Sequence, residues 1–265
     1  MLKTEMRNPL STHIDEMDTL SIVKLINDEN LNAVRAVEKA LPQIAKACDA
    51  IAESFRCGGR LFYIGAGTSG RLGVIDAAEC PPTFGVPREQ VVGIIAGGDK
   101  CMTQAAEAEE DNKEAGKDDL LKYNLCKKDV VVGISASGGA AYIVGALEYA
   151  NEIGALSVSI SSNENTPIEK VAKIVIVADT GAEVITGSTR MKSGTAQKLI
   201  LNMLSTTAMV KTGKVYENMM INLKPTNQKL TLRMIRIVCE ILSCDEKEAE
   251  KRLRENNWSI REAVK

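Results

Sequence analysis

Two short stretches of the 265-residue sequence carry the residue types that hold an anion. Gly65-Ala66-Gly67-Thr68-Ser69-Gly70-Arg71 follows an apolar run at 61–64, and Ser135-Ala136-Ser137-Gly138-Gly139 follows another at 130–134. Each reads as a turn from a strand into a helix. Such a turn aims backbone N–H groups and the positive end of the helix at a negative charge, and hydroxyls add further donors. The first stretch is formally G-x-G-x-x-G, the pattern of a dinucleotide-binding loop. That reading requires an acidic residue at the end of the second strand, about 20 residues on. Here the second strand ends at Ala96-Gly97-Gly98-Asp99, nearly thirty residues after Gly70, and Thr68-Ser69 puts hydroxyls where a pyrophosphate loop uses bare backbone. Either loop alone also fits an ordinary turn with an N-cap serine. Two of them on one sheet edge suit a compact monophosphate, with Gly67, Thr68, Ser69, Ser135, Ser137 and Gly138 as the phosphate-binding residues.

The inventory of proton-transfer groups is narrow. The chain has one histidine, His13, in a polar stretch where a surface position is expected, so a His-based triad or multi-His metal site is hard to assemble. Seven cysteines are scattered without a Cys-x-x-Cys, and Cys239 and Cys244 have the wrong spacing for a zinc knuckle. No metal and no cofactor is expected, and acid–base work falls to carboxylates, Lys, Tyr or Cys. Glu79 precedes Cys80-Pro81-Pro82, where prolines are predicted to stop a helix; a carboxylate at that end meets the negative pole of the dipole, which raises its pKa. Glu110 lies in a run with Glu107, Glu109 and Asp111, and spacing alone favours a solvated helix face. Arg190 and Lys192 could hold a ligand anion, although residue type alone favours capping or solvation.

Composition excludes other classes. A net charge of −2 and 3% aromatic residues leave neither a basic field nor stacking platforms for nucleic acid. No apolar run approaches the ~20 residues that span a bilayer, and residues 1–8 are charged and lack a signal peptide's apolar stretch. With the odd cysteine count, this points to a cytoplasmic protein without membrane partners.

The elements that must position these loops follow from periodicity. Residues 19–56 read as helices, with a break at Asn27-Asp28-Glu29-Asn30. Short apolar runs at 61–64, 91–95, 130–134, 157–160 and 174–177 alternate with helical stretches such as 142–153. Strands that are mostly continuously apolar, alternating with helices, predict an α/β fold of three layers, α-β-α, around a five-stranded parallel sheet. A long helix is expected at 190–211, and after 227 only helices, at 230–242, 246–254 and 258–264. The expected organisation is N-terminal helices over 1–56, the sheet domain over 57–226 and a small helical bundle over 227–265.

The paired loops resemble the sugar isomerase domain, the fold of phosphosugar isomerases and sugar-sensing regulators. Three stretches are similar to one branch of it, the N-acetylmuramic acid 6-phosphate etherases, and to the related glucokinase regulatory protein. The first is Gly65-Ala66-Gly67-Thr68-Ser69-Gly70-Arg71-Leu72-Gly73, continuing through Asp76-Ala77-Ala78-Glu79-Cys80-Pro81-Pro82-Thr83. The second is Ala96-Gly97-Gly98-Asp99 with Glu107-Ala108-Glu109-Glu110-Asp111, and the third runs from Gly181-Ala182-Glu183 through Gly187-Ser188-Thr189-Arg190-Met191-Lys192-Ser193-Gly194 to Lys198. The resemblance implies a lyase that takes D-lactate from the sugar phosphate, with Glu79 as proton donor to lactate and Glu110 as the second catalytic carboxylate. It also implies a homodimer, a UBA-like tail and a small-molecule sugar phosphate as ligand. A non-catalytic sugar-phosphate sensor is the alternative. One departure stands out: where the resemblance implies Arg-Thr-Pro after Ser137-Gly138, this chain has Gly139-Ala140-Ala141, which removes a cation and a hydroxyl.

Overall fold

A computed structural model describes residues 1–104 and 107–265. Helix α1, Thr19–Arg56, is capped by Asp18, whose carboxylate accepts from the Leu20 and Ser21 N–H groups. It runs unbroken through Asn27-Asp28-Glu29-Asn30, where the sequence led us to expect a break. Glu29 is buried there and takes part in an ion pair with Lys192, a partner 163 positions away that no local pattern could show.

Strands β1 (Leu61–Gly65), β2 (Val91–Ile95), β3 (Val130–Ile134), β4 (Leu156–Ser161) and β5 (Ile174–Val177) form one parallel sheet in the order β2-β1-β3-β4-β5. β1 and β3 are buried along their whole length, which is why their sequences are apolar at every position. One face packs Tyr63, Val132, Ile160 and Ile176 against α1, α2 (Gly67–Phe84) and α6 (Lys192–Lys211). The other packs Phe62, Ile64 and Val131 against α4 (Ala141–Ile153) and its neighbours α3 (Lys113–Leu121) and α5 (Pro167–Val171). The three-layer expectation and the five parallel strands are therefore met.

The prolines do not stop α2 at Glu79. The helix continues through Pro81 and Pro82 to Phe84 and closes at Gly85, whose φ is +65° and whose N–H donates to Pro81 O. Proline φ is already helical, and the two lost N–H groups fall in the last turns, where Cys80 and Phe84 pack on the core.

Beyond α6, a two-stranded antiparallel hairpin of β6 (Val215–Tyr216) and β7 (Met219–Met220) precedes α7 (Gln228–Leu242), α8 (Glu246–Glu255) and α9 (Ile260–Ala263). These helices share a separate apolar cluster with Ile221 and Leu223. Among the described residues no helix is long and apolar enough to cross a membrane.

Candidate active site

The sheet order fixes where a ligand can sit. From β1 the chain turns one way to β2, and from β3 the other way to β4. The crevice between their carboxyl ends is the switch point at which open α/β sheets bind ligands. Gly65 pairs with Ile134, so the two hydroxyl-rich loops leave the sheet side by side.

Close packing shapes the first loop. A Cβ at Gly65 would lie 2.6 Å from Gly70 N, and one at Gly70 would lie 2.5 Å from Gly65 O, so only glycines let α2 begin directly on the strand end. The N-cap of α2 is Ala66 and that of α4 is Ala140, and neither start has a side-chain cap. The first N–H groups of a helix have no intrahelical acceptor. Here two uncapped starts face one cavity of about 570 Å³, lined on this side by Gly67, Thr68, Ser69 and Ala140.

In the second loop, Ser135 and Ser137 line the cavity. Ser135 Oγ accepts from Gly138 N at 3.1 Å, and Ser137 Oγ accepts from Gly139 N at 3.2 Å. Gly138 does not line the cavity. Its N–H is taken up inside the turn, its φ is +76°, and a Cβ would stand 2.5 Å from Thr166. Its place is in the turn that carries Ser135 and Ser137 to the cavity. Ser69 lines the cavity but its hydroxyl donates to Gln197 Oε1 at 3.0 Å, which leaves its backbone N–H for an anion.

The two glutamates part company. Glu110, in a 3-10 turn over Glu107–Asp111, lines the cavity, and its Oε1 lies 3.4 Å from where a Cβ would stand at Gly67. Glu110 is thus not on a solvated face, whereas Glu109 packs towards Gly97. Glu79 is exposed and does not line the cavity. It stands twelve residues beyond Gly67 on α2, about 18 Å along the axis at 1.5 Å per residue. One chain does not bring the pair together.

The third stretch supplies a further wall, of which the sequence offered only Arg190 as a possible ligand cation. Ser188, Thr189 and Arg190 line the cavity, and Arg190 has no hydrogen bond or ion pair with the described residues. Lys192 is neither cap nor ligand cation: it is 2% exposed, donating to Glu29 Oε2 at 2.5 Å and Ala182 O at 2.6 Å. Glu183, fully buried, accepts from the Lys192 and Ser193 N–H groups and holds the start of α6. Arg71 and Glu5 were also missed. Arg71 lines the cavity while its guanidinium donates to Met102 O and Gln104 O.

Other proton-transfer groups are out of play. Burial, helped by Asp76, pushes the Tyr63 hydroxyl well up. Burial and its bond to Asp119 do the same for Tyr142. Burial pushes the Cys80 thiol up to about 12. None of these lines the cavity, nor does exposed His13. Among the described lining residues, Glu110 and Glu5 carry the carboxylates.

Comparison with known proteins identifies the family. The family model of the glucokinase regulatory protein N-terminal SIS domain matches residues 43–151, and that of the SIS domain matches residues 113–207. The chain is 53% identical over 263 residues to the N-acetylmuramic acid 6-phosphate etherase of Pasteurella multocida (strain Pm70), covering 99% of this chain and 87% of that one. It is 55% identical over 261 residues to the etherase of Glaesserella parasuis serovar 5 (strain SH0165), covering 98% and 86%. Among solved structures, the Vibrio vulnificus NanR protein complexed with ManNAc-6P superposes with a TM-score of 0.54 at 13% identity, over 76% of this chain and 67% of that one, a likeness of fold. More than half of the residues are shared with etherases along almost the whole chain, and on that ground the chain belongs to the N-acetylmuramic acid 6-phosphate etherase family.

Proposed function

We propose that the chain is a carbon–oxygen lyase that converts N-acetylmuramic acid 6-phosphate to N-acetylglucosamine 6-phosphate and D-lactate. The observation that carries this is the cavity itself: two uncapped helix starts and the Thr68, Ser135 and Ser137 hydroxyls converge on one space with the Glu110 carboxylate at its edge. Its volume, about 570 Å³, falls in the range of roughly 300–1,000 Å³ typical of small-molecule sites. Donors without protein acceptors, at the positive ends of two helices, suit a phosphate dianion.

An ether oxygen is a poor leaving group, so the chemistry must first weaken the C3–O bond. In the open-chain sugar the C1 aldehyde acidifies the proton on C2. A carboxylate takes that proton, the electron pair forms the C2–C3 double bond, and the C3–O bond breaks as the lactate oxygen gains a proton. Water then adds to C3 of the unsaturated aldehyde. Two groups of different pKa serve such a sequence. We assign Glu110 as the C2 base. Glu79 serves as the acid in a homodimer, reaching the cavity of the other subunit. Exposed apolar side chains support that assembly: Leu20, Val23, Leu31 and Val34 along α1, and Ile75, one turn before Glu79 on the same face of α2. The seven unbridged cysteines favour the cytoplasm as its compartment.

Incubation with N-acetylmuramic acid 6-phosphate releases D-lactate on this reading, and Glu110→Gln and Glu79→Gln each lose that release. An equimolar mixture of the two inactive variants, unfolded and refolded together, regains about a quarter of wild-type activity, because half of the dimers are hybrids with one intact site. Absence of lactate from the wild-type chain refutes the lyase. Inactive variants that stay inactive when mixed refute the shared site.

A further inference from the structure

We propose that Glu5 is a substrate-binding residue that accepts hydrogen bonds from the sugar portion of the ligand and so distinguishes a sugar phosphate from phosphate alone. The inference rests on reading the cavity as a phosphosugar site. Glu5 lines the cavity beside Gly187, where a Cβ would lie 3.5 Å from Glu5 Oε2. The residues around it are fastened down on both sides. Lys3 N donates to Asn163 Oδ1 at 2.7 Å, and Asn163 Nδ2 donates to Thr4 Oγ1 at 3.0 Å. Thr4 is fully buried, and Lys3 Nζ pairs with Asp179. On the other side, Asn8 Nδ2 donates to Glu29 Oε2 at 2.7 Å and to Ala182 O at 3.2 Å.

The same Asn163 amide also donates to Ala136 O at 3.1 Å, in the loop after β3. One side chain therefore sets the distance between the Glu5 segment and the expected phosphate position. Glu5 donates its backbone N–H to Leu2 O at 3.0 Å, while its carboxylate has no hydrogen bond or ion pair with the described residues. The remaining wall is rich in donors: helix N–H groups, hydroxyls and the Arg190 guanidinium. A phosphate is served by donors alone. Sugar hydroxyls and an acetamide N–H need acceptors, and an ionised carboxylate is acceptor-only with two oxygens.

Calorimetric titration of the full chain with N-acetylglucosamine 6-phosphate and, separately, with inorganic phosphate tests this. Glu5→Gln keeps the shape of the side chain and is expected to weaken binding of the sugar phosphate by about tenfold or more, while inorganic phosphate binds as tightly as to wild type. Met6→Ala, an exposed neighbour on the same segment, leaves both unchanged and shows that the segment is not simply disturbed. Parallel weakening of both ligands in Glu5→Gln, or no change in either, overturns the assignment. A wild-type chain that binds neither ligand overturns the phosphosugar reading itself, and the Glu5 assignment with it.

Discussion

Replacing Gly70 with alanine tests whether close packing aims the phosphate loop. The added Cβ would stand 2.5 Å from Gly65 O and 2.7 Å from Ile95 Cγ1. The isoleucine can turn away, but the carbonyl is backbone of a strand buried in mid-sheet. Restoring an ordinary carbon–oxygen contact needs roughly 0.7 Å of movement between β1 and the first turn of α2. Overpacking of this kind costs about 2 kcal/mol, which lowers the melting midpoint of a domain this size by about 4–8 °C. The same displacement moves the Thr68 and Ser69 N–H groups off their target, and errors near 1 Å cost up to about a hundredfold in rate. Thermal unfolding followed by circular dichroism and kcat/KM for lactate release read the two effects separately. Gly139→Ala is the control: its Cβ meets only Ser137 Oγ, at 3.7 Å, so stability should stay within about 0.5 kcal/mol. A Gly70→Ala protein with wild-type midpoint and wild-type kcat/KM refutes the argument. Lost stability with full activity shows that this turn does not aim the donors.

Two further perturbations probe buried charge. Lys192→Met leaves Glu29 unpaired in the interior, which is expected to cost about 3–5 kcal/mol in urea unfolding, and adding Glu29→Leu should return much of it. Asp129 has no exposed side-chain surface and joins the starts of β1 and β3, accepting from Arg60 and from Cys126 N. Burial works to raise its pKa, but the Arg60 guanidinium and the backbone donors outweigh it and hold the carboxyl below its ordinary value. The stability it contributes is thus complete above the unfolded value of about 3.9 and lost as pH falls through the lower folded value. Asp129→Ala should be destabilised by about 3 kcal/mol at pH 7, and the gap from wild type should shrink in titrations below about pH 4; a gap independent of pH would count against the ion pair.

What could be read from the sequence divides along a physical line. Four of the five strands were legible because strands covered on both faces are apolar throughout, as β1 and β3 are, while β4 alternates apolar residues with the buried Ser157, Ser159 and Ser161. The loops were legible because glycine and hydroxyl residues cluster where backbone must approach an anion. The break expected at Asn27–Asn30 failed because Glu29 is satisfied by Lys192, and a tertiary ion pair leaves no mark on local periodicity. The stop expected at Pro81 failed because helical φ and core packing outweigh two missing donors in a last turn. That Gly138 spends its N–H inside its own turn was not legible, because the bond depends on how the Ser135 hydroxyl is turned. Glu5 left no signal beyond its charge. Ala66 and Ala140 did leave one: a strand running into a helix with alanine at the cap position lacks the usual acceptor, and that gap is itself a hint of an external anion.

The fastening of the N-terminus has a consequence for how the protein comes into being. Lys3 finds its acceptor 160 positions later, and Ser11 Oγ reaches Val184 O across 173. During synthesis these residues therefore wait for their partners until Asn163 and Val184 have followed. Contacts of such separation bear the closure entropy of a long loop and form late. A nascent chain ending near residue 160 already holds the segments of four strands, yet the wall formed by Glu5 and residues 187–190 cannot exist. Ligand binding should accordingly be absent from the growing polypeptide until residues 187–190 have left the ribosome.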